Sequence, residues 1–251
     1  MGVTPVAGRN RPVRAPVAAD VQVEVWSDVV CPWCYIGKRR LETALDRFPH
    51  ADQVEVVWRS FQLDPSIPEG HTEETLPALA AKYGASVEQM RGTMARVQEL
   101  AAAEGLDYDL AAGVSGNTLL AHELVHLAAS HGLGGAMEER LLHAHFEERR
   151  SVFDVESLVP LAVEVGLDEA EVRAALADRR FLPAVREDVG TARMLGATGV
   201  PFFVVDRTYG AAGAQPADVL LRLLERAWAE RGPVQGAAPS VRGVGRTGSA
   251  R

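Results

Sequence analysis

Both cysteines of this chain lie in one segment, Cys31-Pro32-Trp33-Cys34, where the pattern of a strand gives way to that of a helix. Residues 21–26 alternate apolar and polar side chains and are rich in valine, which predicts a β-strand. Apolar side chains then recur at helical spacing over residues 36–48. The first turn of a helix carries unpaired N–H groups and the positive end of the helix dipole, and both stabilise a thiolate. The segment therefore predicts a reactive pair of thiols.

We expect Cys31 to be the nucleophile, because the thiolate is the form that attacks a disulfide. Cys34, one turn further along the helix, would be the resolving thiol that closes the intramolecular disulfide. Pro32 suits an early helical position because it has no N–H to satisfy. Trp33 adds apolar surface but no charge beside Cys31.

The motif has two other interpretations, half of a zinc site or a structural disulfide. A tetrahedral zinc site needs four ligands, whereas the chain has no other cysteine and no histidine pair near the motif. A disulfide that closes so short a loop constrains little of the unfolded chain. Redox catalysis is therefore the favoured interpretation, and we expect no metal site.

Composition separates two ends of the chain from its middle. Residues 1–19 and 232–251 are rich in Pro, Ala, Gly and Arg, which predicts disordered tails. Neither end contains an acid, so the middle is more acidic than the net charge of −8 for the whole chain indicates. This charge disfavours nucleic acid or an anionic membrane as a partner. We find no pattern of a secretion signal or membrane span, and two cysteines suit a reducing compartment, so we expect a cytoplasmic protein.

The rest of the middle is mostly helical in pattern. A second strand is predicted at residues 54–61, and strands return only at 201–206 and 209–211, before a last helix at 217–229. The helices predicted between these strands span residues 72–83, 86–104, 118–131, 135–148, 155–165, 169–177 and 181–195, with N-cap pairs at Ser86/Gln89 and Asp168/Glu171.

This order of elements predicts the α/β class and, within it, a thioredoxin-like fold interrupted by an α-helical insertion domain. Residues 20–64 and 190–231 would form the thioredoxin-like domain. Residues 65–189 would form the insertion.

Four segments of the chain resemble the FrnE-type branch of the DsbA family. They are residues 26–37 around the motif, 60–65, 199–204 and 213–216, and they occur in the family's order. The resemblance covers roughly residues 20–230 and implies a thiol-disulfide oxidoreductase. It also implies no cofactor beyond the redox-active disulfide, glutathione as a candidate co-substrate, and a protein or small molecule as the thiol or disulfide substrate. Some members of this branch carry a further cysteine pair near the C-terminus, which this chain does not have.

The resemblance assigns roles near the cysteines to three further residues. It puts a cis-proline at Pro201, facing the C-x-x-C motif, and leaves the backbone of Val200 free to pair with an extended substrate segment. Glu24 lies on the first strand, where related folds often bury an acid that could accept the proton of Cys34. The alternation of the strand equally allows Glu24 to face outward.

The resemblance also points to a substrate pocket. The segment 117–122 is similar to a family segment whose histidine faces the redox site, so Asn117 and His122, together with Phe61, are candidate pocket residues. The alternative is that these are ordinary polar residues on a helix surface.

His122-Glu123-Leu124-Val125-His126 also matches H-E-x-x-H, the pattern in which two histidines bind zinc and the glutamate acts as a base. A zinc protease is therefore a remote alternative from a different class. The pattern is short enough to arise by chance, and it explains neither the cysteines nor Pro201.

A third interpretation keeps the same fold. Kappa-class glutathione transferases and hydroxychromene-carboxylate isomerases share the inserted architecture, but resemble a site in which serine replaces the first cysteine and glutathione is held non-covalently. A glutathione-dependent isomerase is thus the alternative function. The presence of both Cys31 and Cys34 favours electron transfer instead.

Overall fold

The computed structural model describes residues 21–231, and the two predicted tails lie outside this range. Its strands are β1 Val21–Ser27, β2 Val54–Ser60, β3 Thr72–Glu74, β4 Val114–Gly116, β5 Phe202–Val205 and β6 Tyr209–Ala212. Its α-helices are α1 Pro32–Arg47, α2 Thr75–Lys82, α3 Val87–Ala103, α4 Leu119–Ser130, α5 Gly134–Phe146, α6 Val155–Val165, α7 Glu169–Ala177, α8 Leu182–Met194 and α9 Ala217–Glu230.

A four-stranded sheet of order β2-β1-β5-β6 forms the centre of the fold. β1 pairs parallel with β2, with Ser27 opposite Ser60, and antiparallel with β5, which pairs antiparallel with β6. The parallel pair needs the α1 crossover between its strands. This is the thioredoxin-like arrangement that the order of elements predicts.

Alternation along β1 assigns its residues to opposite faces of the sheet. Val21, Val23 and Val25 pack in one buried cluster with side chains of α1 and α9. Trp26 faces the other side, where its indole N–H donates to the backbone carbonyl of Asp188 in α8 at 2.9 Å. The sheet is therefore covered by helices on both faces.

The helices between β2 and β5 share their cores with the motif segment. One cluster joins α4, α5, α6 and α7 to Val29, and a second joins α2 and α3 to Tyr35 and Ile36 of α1. The predicted boundary between residues 189 and 190 falls inside α8, which packs against β2 as well as α4. The helices of the insertion thus pack directly against residues of the motif segment.

The predicted elements need one correction. Residues 72–74, expected to begin a helix, form β3 and pair antiparallel with β4, which the sequence pattern did not indicate. Three-residue strands are too short to show alternation. In β4, Gly116 lies so close to the Phe153 ring that a Cβ atom would be 2.7 Å from it.

The predicted caps of α3 and α7 are confirmed. None of the helices in residues 21–231 has both the length and the apolar character to cross a membrane.

Candidate active site

Cys31 lies at the junction between β1 and α1. It is the N-cap of α1, with extended backbone, and Pro32 follows in the first helical turn. The Cys31 N–H donates to the Asp28 carbonyl and the Cys34 N–H to the Cys31 carbonyl, both at 2.9 Å. These bonds hold the junction in a tight turn. Both cysteines are free thiols, with Cys31 4% exposed and Cys34 1% exposed.

The loop before β5 lies directly against Cys31. The Val200–Pro201 peptide bond is cis, and the Cys31 thiol donates to the Val200 carbonyl at 3.5 Å. Pro201 reaches this position because residue 37 of α1 is glycine, where a Cβ atom would be 2.9 Å from the Pro201 Cγ. The Pro201 carbonyl accepts a hydrogen bond from the Gly213 N–H at 2.8 Å. The structure therefore brings Cys31, Val200 and Pro201 together.

The two residues inside the motif face different surroundings. Trp33 is 38% exposed and forms part of the surface beside Cys31. The Pro32 carbonyl accepts a hydrogen bond from the Tyr108 hydroxyl at 2.9 Å, and the Tyr108 ring stacks on Phe146. Tyr108 follows α3, so a residue from the insertion fixes the first turn of α1.

Cys34 lies in an apolar environment with two polar neighbours. Burial raises the pKa of its thiol well above the usual range, and a neighbouring Cys31 thiolate adds to the effect. Hydrogen bonds from the Asp28 backbone and the Ser27 hydroxyl oppose the shift. Cys34 is therefore held as a thiol that must lose a proton before it can react.

Asp28 connects the motif to the insertion. One carboxylate oxygen accepts the Leu63 N–H at 2.8 Å, and the other lies 3.3 Å from Nε2 of His122 on α4. The latter contact lacks the angles of a directed hydrogen bond and is electrostatic in character. Burial opposes protonation of His122, but the adjacent Asp28 carboxylate raises the His122 pKa overall.

Glu24 is buried but does not lie beneath α1. The alternation of β1 turns it toward the face that carries Trp26, where Arg59 Nη2 donates to it at 2.7 Å and Arg207 Nε at 2.9 Å. Although burial raises it, the hydrogen bonds from Arg207 and Arg59 lower the Glu24 pKa overall. The expectation that Glu24 could serve Cys34 is therefore wrong in geometry, because the two side chains are on opposite faces of the sheet.

The three predicted pocket residues have different neighbours. The Asn117 side chain accepts the Leu119 N–H at 2.9 Å and donates to the Ile67 carbonyl at 2.6 Å, so it holds the start of α4. His122 is buried against Asp28. Phe61 is half-buried beside Val200, whose carbonyl contacts Cys31.

The H-E-x-x-H side chains of α4 have three different partners. His122 contacts Asp28, Glu123 accepts from Arg179 at 2.7 Å, and Nε2 of His126 lies 3.0 Å from Asp188. The two imidazoles thus face separate carboxylates instead of a shared point. In residues 21–231 no cluster of three or more His, Cys, Asp or Glu side chains could hold a metal ion.

Sequence reasoning missed two groups beneath the motif. The Ser27 hydroxyl donates to the Glu138 carboxylate of α5 at 2.5 Å, and both side chains are buried. Ser27 could have been found from its place at the end of β1, four residues before Cys31. Glu138 gives no signal, since it lies far away in the sequence and stands next to a second glutamate, Glu139, on the same helix.

The sequence matches the model of one protein family, the DsbA-like thioredoxin domain, over residues 22–225. The chain belongs to this family. The DsbA-like family contains oxidoreductases and isomerases, and its thioredoxin-like fold agrees with the sheet order and with the motif at the start of α1.

Individual similar proteins cover most of the chain. YwbO, an uncharacterised protein of Bacillus subtilis (strain 168), is 33% identical over 198 residues, which are 77% of this chain and 92% of YwbO. The crystal structure of a probable DsbA oxidoreductase from Streptomyces coelicolor is 48% identical with a TM-score of 0.81, over 88% of this chain and 97% of that one. DsbM, a cytosolic disulfide reductase of Pseudomonas aeruginosa solved with GSH, shares the fold at 20% identity and a TM-score of 0.58, over 83% and 99% of the chains.

Proposed function

We propose that this DsbA-like protein exchanges thiols and disulfides through Cys31-Pro32-Trp33-Cys34. The Cys31 thiolate attacks a substrate disulfide, forms a mixed disulfide and releases one substrate thiol. The Cys34 thiolate then attacks Cys31 Sγ, which releases the second substrate thiol and leaves the Cys31–Cys34 disulfide. The reverse sequence oxidises a substrate dithiol and returns the motif to two thiols.

One observation carries this proposal, the contact of Cys31 Sγ with the Val200 carbonyl while Cys34 is buried behind it. The Val200 N–H, in contrast to the carbonyl, donates a hydrogen bond to no acceptor within residues 21–231. It is available to an extended substrate segment, whose approach would place a substrate sulfur beside Cys31. Trp33, exposed in the motif itself, and Phe61, packed with Val200, supply apolar surface nearby.

The alternatives have less support in the site. A glutathione-dependent isomerase needs glutathione held beside a hydroxyl, whereas the first position of this motif is a thiol with a second thiol one turn behind it. A zinc protease needs both histidines of α4 turned to one ion, and His122 and His126 contact different acids.

We also propose membership of the FrnE-like branch, on the four matching segments, and action in the cytoplasm, on the low cysteine content. We propose no resident cofactor. Glutathione is the first small thiol to test as a co-substrate, because DsbM, a protein of the same fold, was solved with GSH.

The test is disulfide exchange on insulin, together with the redox potential of the motif in glutathione buffers. We expect Cys31→Ser to abolish exchange, and Cys34→Ser to accumulate mixed disulfides visible by mass spectrometry. The potential will separate an oxidase from a reductase. Wild-type activity in Cys31→Ser would refute the proposed function.

A further inference from the structure

A groove lies between α8, the start of α4 and the segment that follows β2. Its volume is about 420 Å³, and two arginines of α8, Arg186 and Arg193, lie along it. The remaining lining residues are mostly apolar and are Gln62, Leu119, Leu182, Val185, Val189 and Gly190. Within the described residues, 21–231, no acid lines the groove. It therefore combines apolar surface with positive charge.

Neither guanidinium group of the groove has a protein partner. Arg186 and Arg193 are exposed, and within residues 21–231 neither side chain donates a hydrogen bond or lies within ion-pair distance of a carboxylate. The two acids of the same helix, Glu187 and Asp188, are not among the lining residues. The groove thus suits an anionic ligand, although the net charge of the chain is −8.

One end of the groove lies close to Cys31. Ala192, the neighbour of Arg193, belongs to a buried cluster against which Phe61 and Val200 pack. The Val200 carbonyl contacts the Cys31 thiol. A substrate segment that pairs with the free Val200 N–H can therefore continue from the cysteine into the groove.

The length of the groove suits an extended peptide. From Leu182 to Arg193 the helix rises about 16 Å, at 1.5 Å per residue. Arg186 and Arg193 are about two turns apart, so they share one face of α8. An extended chain advances about 3.3 Å per residue, which means that about five residues of a substrate span this distance.

We propose that the groove binds the polypeptide segment next to the reactive cysteine of a substrate, and that it selects segments containing both acidic and apolar residues. Carboxylates of the segment pair with Arg186 and Arg193, and its apolar side chains pack on the leucines and valines of the groove. This inference rests on the proposed function, because it specifies the substrate of the same exchange. Cys31 still attacks the substrate sulfur and displaces the second sulfur as a thiolate.

The probes are two synthetic peptides, each with one cysteine activated as a mixed disulfide with thionitrobenzoate. Glutamate and leucine flank the cysteine in one peptide, and lysine and leucine flank it in the other. Attack by Cys31 on the peptide sulfur joins the peptide to the protein and releases thionitrobenzoate, which is followed by its absorbance. Each rate is divided by the rate of the same peptide with 2-mercaptoethanol, which removes differences in intrinsic reactivity.

At low ionic strength we expect the glutamate peptide to react roughly tenfold faster than the lysine peptide, within the range of electrostatic steering. The advantage should shrink as salt is added. The net charge of −8 by itself would favour the lysine peptide, so the order of the two rates separates recognition in the groove from attraction by the whole molecule.

The arginines are tested by combining Arg186→Gln with Arg193→Gln, which should abolish or reverse the preference. The readout is the ratio of the two peptide rates, because a general loss of structure slows both peptides alike. Arg96→Gln combined with Arg222→Gln is the matched control. These two arginines, on α3 and α9, are also exposed and have no partner within residues 21–231, so the control has the same net charge. It should keep the wild-type ratio.

Gly190→Leu tests the groove itself. A Cβ atom at Gly190 meets nothing within 4 Å, so a leucine side chain enters the groove without displacing a neighbour. We expect this variant to lose the preference for the glutamate peptide. Gly92→Leu, at an equally open position of α3, is its control and should keep the preference.

Equal normalised rates for both peptides in the wild type, as expected if a second copy of this acidic chain covers the groove, would overturn the inference. A wild-type ratio in the double variant of Arg186 and Arg193 would do the same. Should that variant not fold, a wild-type ratio in Gly190→Leu would decide against the groove. Absence of exchange with both peptides and with insulin would instead refute the proposed function.

Discussion

Two buried serines, one at the end of β1 and one at the end of β2, form hydrogen bonds with buried acids near the motif. Ser27 and Ser60 are opposite each other in the β1–β2 register. Ser27 donates to Glu138, and the Ser60 N–H donates to Asp188 at 2.9 Å. His126 contacts both Ser60 and Asp188. The two histidines of the H-E-x-x-H pattern thus contact different acids, His122 with Asp28 and His126 with Asp188.

Glu24 gives a prediction at this scale. Glu24→Gln should lower the free energy of unfolding by about 1–3 kcal/mol at pH 7, because it removes charged hydrogen bonds from Arg59 and Arg207. The folded pKa of Glu24 is depressed, so its contribution is present above the unfolded value of 4.5 and is lost as the pH falls below it. The difference between wild type and variant should therefore shrink in acid, as measured by urea titration.

Insulin exchange by Glu24→Gln should equal that of the wild type, since Glu24 lies across the sheet from Cys34. Glu55→Gln, which removes an exposed contact with Gln22, should change stability by less than about 0.5 kcal/mol. A large loss of exchange in folded Glu24→Gln would contradict the placement described here.

The sequence allowed the reactive residues to be predicted only where their chemistry is contained in a short segment. Cys31 and Cys34 stand in one motif, and Pro201 stands in a recognisable segment. Glu138 meets Ser27 through tertiary packing of α5, which no local pattern records. The position of Glu24 stayed open, because alternation identifies two faces of a strand but does not say which face a later helix will cover.

At the scale of elements, the approach of α1 to the loop before β5 depends on one glycine. A Cβ atom at Gly37 would be 2.9 Å from Pro201 Cγ and 3.2 Å from the Phe203 ring. Neither ring can move aside without shifting its backbone or its packing. The distance between the motif helix and the proline loop is therefore set by the absence of a side chain.

Gly37→Ala should lower the free energy of unfolding by about 1–2 kcal/mol, because overpacking outweighs the gain in helix propensity. It should also slow exchange, since the loop that contacts Cys31 is displaced. Gly92→Ala is the matched control in α3, where a Cβ atom would meet nothing within 4 Å. It should stabilise the protein by about 0.5–1 kcal/mol. A urea titration that ranks Gly37→Ala above the wild type would contradict this prediction.

Elements with strong local signals were predicted well. The Ser86 capping box and the Asp168 N-cap fix the starts of α3 and α7. The β3–β4 pair was missed because each strand has three residues and its pairing depends on contacts distant in sequence.

For the whole molecule, the insertion and the thioredoxin-like part share their buried cores. Leu142 of α5 is fully buried in the cluster that contains Tyr35 and Ile36 of the motif helix. Neither part can lose this packing without exposing the other. The predicted division at residues 65–189 follows the order of the chain but does not separate two independent cores.

We therefore predict a single unfolding transition. All four tryptophans lie outside residues 65–189, so their fluorescence reports on the thioredoxin-like part, whereas far-UV circular dichroism is dominated by the helices of the insertion. The two signals should coincide in urea. Leu142→Ala should lower the free energy of unfolding by about 2–5 kcal/mol in both signals.

Leu100→Ala, at a 41% exposed position of α3, is the matched control and should have a much smaller effect. Two separated transitions in the wild type, or a change confined to circular dichroism in Leu142→Ala, would show that the parts unfold independently.

Helices α4 and α5 contribute side chains that contact the end of β1 and the residue after it, just before the motif. This limits which segments of such proteins can be exchanged between lineages in evolution. A chimera that received its helices from a distant relative would keep both cysteines and the proline loop, yet could lose His122 opposite Asp28 and Glu138 opposite Ser27. The motif and these helices should therefore be inherited together. An exchange between lineages that keeps the protein active should transfer all of these side chains at once.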